Sequence, residues 1–65
     1  MGLLEKQEIS KFLYEFYIET YGELETDKWF EQPAANIWTF ERDGKIITLK
    51  CHILTGEVEA KEEML

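Results

Sequence analysis

Disulfides, zinc centres, catalytic triads and phosphate loops all draw on residues that this chain hardly has. Among 65 residues there is one cysteine, one histidine, one serine, one proline and four scattered glycines. A lone Cys51 closes no intrachain disulfide and suits a reducing compartment, so a cytoplasmic setting is expected, with Cys51 as a small buried apolar residue. Cys51 and His52 are neighbours on a strand and point to opposite faces, giving two ligands where zinc takes three or four. The acids of Glu23-Leu24-Glu25-Thr26-Asp27 alternate like the opening of a calcium loop. Lys28 and Ala34, however, stand where that loop needs Gly and Glu. Ser10, early in a helix, has no base, and Cys51 could use only the diverging His52. Isolated glycines make no phosphate cradle. No cofactor, no metal and no catalytic residue is therefore expected, and the chain is read as a non-enzyme.

Apolar runs are only a few residues long, far short of a membrane span. Glu5-Lys6 follows Met1-Gly2-Leu3-Leu4 at once, so no signal peptide is expected, and Lys6 occupies the place where a myristoylation motif needs Ser or Thr. Basic residues are also scarce. Seven Lys and Arg against fourteen Asp and Glu leave a net charge of −7. That balance argues against direct binding of nucleic acid or of an anionic membrane.

Hydrophobic residues, by contrast, are 45% of the chain and aromatics 14%, which points to a folded domain spanning residues 1–65. Ile9, Phe12, Leu13, Phe16 and Tyr17 recur at the spacing of one helical face, predicting a helix from about residue 4 to 21, with Gly22 as its C-terminal cap. Tyr14, Ile18 and Tyr21 make a second apolar stripe. Glu8, Lys11, Glu15 and Glu19 take the remaining arc. Thr26 as N-cap, Asp27 in the first turn, then Trp29 and Phe30 before Pro33, predict a short helical turn over about 27–32.

Strands are predicted over about 36–42, 45–54 and 57–61. Asp43-Gly44 is a two-residue hairpin turn. It sets Phe40 opposite Ile47, Trp38 opposite Leu49 and Asn36 opposite Cys51 on the buried face, with Thr39 opposite Thr48 and Ile37 opposite Lys50 on the open one. A second two-residue turn at Thr55-Gly56 would set Ile53 opposite Val58, Cys51 opposite Ala60 and His52 opposite Glu59. It would also set Lys50 unfavourably against Lys61, so an early end to this strand or a longer loop is the alternative. The tail from Lys61 to Leu65 is expected to fray or form a short helix. The fold class is α+β: an N-terminal amphipathic helix and a short helical turn on a three-stranded antiparallel β-meander, in two layers.

A helix resting on one small sheet needs an apolar arc of about 100° or somewhat more, and this one is apolar around well over half its circumference. A domain this size also buries only about 60% of its unfolded surface. Both facts suggest an unpaired apolar surface. Tyr14, Ile18, Tyr21, Trp29 and Phe30 are the candidate protein interface, and a small acidic interaction or regulatory module, homodimeric or bound to another protein, is the leading expectation. Acids concentrate in residues 1–33, which hold eight, and in 57–65, which hold four. Glu8, Glu15 and Glu19 form a candidate acidic surface. An alternative is thus an acidic inhibitor that blocks a basic, nucleic-acid-binding site on a target protein. A third reading is an enzyme or small-ligand binder using Thr39, Thr48 and His52 on the open sheet face. His52 paired with Glu59 could also sense pH, although a half-exposed surface pair is the plainer reading.

Overall fold

A computed structural model of the chain describes residues 2–65. Helix α1 spans Lys6–Thr20, and strands β1 (Lys28–Trp29), β2 (Ile37–Arg42), β3 (Lys45–Cys51) and β4 (Val58–Met64) follow. The strands form one antiparallel sheet in the order β1-β2-β3-β4. The class is α+β, with four strands where the sequence predicted three.

The helix begins at Glu5, whose backbone N–H donates to Glu8 Oε1 at 3.1 Å, a capping box that the sequence reading did not anticipate. It ends at Tyr21, and Gly22 adopts the left-handed conformation expected of it. Ile9, Leu13 and Tyr17, at about 40° intervals around the axis, are buried against Phe40, Ile47, Leu49 and Cys51.

At the first hairpin Asp43 and Gly44 both take positive φ, 52° and 75°. The pairings predicted from Ile37 to Arg42 are present, while Asn36, just before β2, meets Cys51 through hydrogen bonds. Cys51 N–H donates to the Asn36 carbonyl at 2.9 Å, and Asn36 Nδ2 donates back to the Cys51 carbonyl at 2.9 Å.

The second hairpin takes the longer loop that the Lys50–Lys61 clash allowed for, not the two-residue turn. β3 stops at Cys51, and a wider loop replaces the two-residue turn, so that Cys51 pairs with Val58 and Leu49 with Ala60. The register moves by two residues, which keeps every side chain on its expected face. Lys50 now opposes Glu59 and Thr48 opposes Lys61, so two lysines no longer meet. Tight packing accompanies the loop: Gly56 has φ +83°, and a Cβ there would stand 3.0 Å from Phe12. The tail does not fray. β4 runs to Met64, and Leu65 N–H donates to the Gly44 carbonyl at 2.9 Å.

The predicted helical turn over 27–32 is likewise absent. Lys28–Trp29 is a two-residue strand beside β2, with Trp29 opposite Phe40. Local propensity loses to packing here: the Trp29 ring lies 4.7 Å from Phe40 and 5.1 Å from Tyr17, contacts a helical turn would forgo. Asp27 does not serve a helix N-terminus either. It pairs with Arg42 at the far end of α1.

Candidate functional site

Where α1 sits decides what each of its faces can do. Leu4 N–H donates to the Ile53 carbonyl at 2.9 Å, fixing the helix start beside the β3–β4 loop. At the other end Arg42 donates to the Tyr21 carbonyl at 2.9 Å and the Gly22 carbonyl at 2.6 Å. The helix therefore runs the same way as β2 and β4, packed over β3 and β4. A right-handed helix in that orientation turns its Tyr17 side toward β1 and β2 and its Phe12 side toward β4. The contacts agree: Tyr17 meets Trp29 and Phe40, whereas Phe12 meets Gly56 in the loop leading to β4.

Two unlike flanks result. Tyr14 and Ile18 continue around the helix from Tyr17, on the β1–β2 side, and are 49% and 37% exposed. Gln7 and Lys11 complete that arc, and no acid of the helix falls on it. Beneath this flank α1 covers Phe40 completely but leaves the β1 edge of the sheet partly open. Trp29 there is 45% exposed; Phe30, 44% exposed, follows it and bonds Thr39, whose side chain belongs to the open face. Trp29, Phe30, Gln32, Trp38 and Thr39 thus line a shallow groove of about 280 Å³ around the β1 edge of the sheet. Trp29 and Trp38 meet edge to face, centroids 5.6 Å apart. The sequence reading missed Trp38 and Gln32 as lining residues, having assigned Trp38 wholly to the core. Only the pairing of β1 with β2 brings them to the groove.

Tyr21, counted with the exposed stripe, is instead half-buried. Its ring packs 5.7 Å from Phe40 and its hydroxyl donates to Glu62 Oε2 at 2.9 Å. Trp29 folds back over Tyr17 but leaves Tyr14 and Ile18 open. Four of the five candidate interface residues, Tyr14, Ile18, Trp29 and Phe30, thus remain accessible, while Tyr21 is largely committed to the fold.

The opposite flank carries Glu8, Glu15 and Glu19, all exposed and all on the β4 side of the helix. Glu8 is also engaged in the helix cap.

On the open face of the sheet, Thr39 and Thr48 are opposite one another. His52 is not brought to them, because the row Ile37–Lys50–Glu59 intervenes. His52 Nε2 lies 2.6 Å from Glu59 Oε2, the pair expected from sequence, reached although Glu59's backbone partner is Lys50. Cys51 is buried and free, and burial pushes its thiol up, opposite to the shift of an activated cysteine. Among the described residues no three His, Cys, Asp or Glu side chains gather as a metal site requires, and no helix is long and apolar enough to cross a membrane.

Comparison with known proteins gives no family: no family model matches the chain, no curated protein matches its sequence and no solved structure matches its fold.

Proposed function

We propose that this chain is a non-enzymatic interaction or regulatory module, cytoplasmic, that self-associates through the flank bearing Tyr14, Ile18, Trp29 and Phe30. The observation that carries this reading is the segregation of the two flanks. Large aromatic and aliphatic groups stand exposed on an arc of α1 free of acids, while Glu8, Glu15 and Glu19 lie on the other side. Two copies of net charge −7 meeting through the apolar flank keep those acid rows apart, and partly exposed Tyr and Trp are the groups that dominate interface energetics when desolvated. Tyr21 is not part of the contact in this reading. Its hydroxyl and ring are already engaged.

Sedimentation equilibrium at micromolar concentration tests it. Wild type is expected at twice the 7.7 kDa chain mass, and Tyr14→Glu with Ile18→Glu at the monomer mass with an unchanged circular dichroism spectrum. A wild-type monomer throughout that range overturns the homodimer.

A further inference from the structure

β4 forms an edge of the sheet, and its register shows which of its backbone groups are free. His52 N–H donates to the Glu57 carbonyl at 2.8 Å and Leu65 N–H to the Gly44 carbonyl at 2.9 Å, at the two ends of the β3–β4 ladder. Antiparallel ladders alternate, so residues 57, 59, 61, 63 and 65 turn their N–H and C=O toward β3. Val58, Ala60, Glu62 and Met64 turn theirs outward. At seven residues β4 is as long as β3, and among the described residues nothing pairs with its outer side. Short strands, bulges or a covering element usually blunt such an edge, and here charge alone guards it.

That charge disfavours one occupant in full register and suits another. A second copy pairing antiparallel over the whole of β4 would oppose Lys61 to Lys61 and Glu59 to Glu63. It would also bring the acid rows of two helices face to face. A basic strand meets the reverse situation. Its alternate side chains on the helix side would lie beside the small, exposed Ala60 and under the Glu8–Glu15–Glu19 flank. They would also approach Glu62, whose carboxylate already accepts from Tyr21 Oη at 2.9 Å and pairs with Lys45 Nζ at 3.6 Å, so the helix acids carry most of the attraction. We propose that the β4 edge binds an extended peptide segment of a partner protein, with lysine or arginine at alternate positions, as a fifth strand of the sheet. Main-chain hydrogen bonds to Val58, Ala60, Glu62 and Met64 supply the binding, and the acids set the preference for a basic sequence. The site lies on the flank opposite Tyr14 and Ile18 and is independent of self-association there.

The probe is a capped peptide of alternating lysine and valine as long as β4, titrated by isothermal calorimetry onto the full chain at about 50 mM and about 500 mM salt. Saturable binding that weakens with salt, and none to the glutamate–valine counterpart, is expected. Ala60→Pro removes an outward N–H without touching the β3–β4 ladder, so the protein should stay folded by circular dichroism while affinity falls at least about tenfold. Glu15→Gln with Glu19→Gln should reduce the preference for the lysine peptide and leave the fold intact. Absence of binding overturns the proposal. So does binding that ignores Ala60→Pro, which would mean a diffuse charge attraction, and so does dissociation of a wild-type dimer by Ala60→Pro, which would mean that β4 pairs with itself. The oligomer measurement on Tyr14→Glu with Ile18→Glu reads the other flank, so the two readings fail separately.

Discussion

Arg42, the last residue of β2, grips Asp27, the residue before β1. Its Nε reaches Asp27 Oδ1 at 2.6 Å and its Nη2 reaches Oδ2 at 2.6 Å, a two-point pair whose carboxylate is wholly shielded from solvent. The same guanidinium donates to the Tyr21 and Gly22 carbonyls, where a helix leaves acceptors unpaired. Its positive charge also lies at the negative end of the helix dipole, in a last turn without basic residues of its own. Tyr17 Oη completes the cluster by donating to Asp27 Oδ2. One salt bridge thereby ties the helix end, the connecting loop and two strands together.

The hydrogen bonds from Arg42 hold the Asp27 carboxyl below its ordinary range, the bond from Tyr17 acting the same way against the opposing effect of burial. The unfolded carboxyl titrates near pH ~3.9, so this contribution to stability is complete above that value and is lost as pH falls through the lower folded value. Asp27→Asn leaves Arg42 charged, sheltered and unpaired. It should cost about 3–5 kcal/mol at neutral pH and flatten the decline in stability below pH ~4. Urea melts of both proteins across an acid pH series measure the two effects. An unchanged acid limb in Asp27→Asn would assign the loss to other carboxylates.

Gly56 combines a left-handed backbone with a crowded neighbour. Alanine there meets an unfavourable φ of +83° and also the Phe12 ring. Gly56→Ala should lower the free energy of unfolding by at least about 1 kcal/mol. Phe12→Leu added to it should recover only the steric part, because the backbone penalty persists. A double-mutant cycle by urea denaturation measures that coupling.

Trp29 is the anchor of the shortest strand. Removing its ring with Trp29→Ala deletes contacts to Tyr17, Phe40 and Trp38. The loss should be about 1–2 kcal/mol, less than for a fully buried tryptophan because nearly half of this one is exposed. Amide exchange should then quicken at Phe30, whose N–H donates to the Thr39 carbonyl at 2.9 Å, more than in the β2–β3 hairpin. Equal acceleration in both places would mean that β1 is not a separable unit.

Local stereochemistry and side-chain period settle part of this protein from its sequence. Asp43-Gly44 has both residues in left-handed conformation because such a turn follows the twist of its strands and Asp-Gly tolerates it, and Phe40, Ile47 and Leu49 fall on one face because a strand alternates. The core stripe of Ile9, Leu13 and Tyr17 follows from helical period alike. The exposure of Tyr14 and Ile18 was also legible, since the apolar arc exceeded what one small sheet could cover. What folding together decided has a common cause: it depends on residues far apart in the chain. Trp29 becomes a strand only beside Phe40, and Asp27 is a capping acid in sequence but Arg42's partner in space. Tyr21 belongs to a stripe by its angle, yet Glu62, forty-one positions later, draws it in. The β3–β4 register follows a six-residue loop from His52 to Glu57 that no turn motif announces. Above all, a helical wheel separates aromatic from acidic arcs but cannot say which strand lies beneath each. That was fixed when a right-handed helix docked parallel to β2 and β4, setting Tyr14 on the side of β1 and β2 and the glutamates on the side of β4.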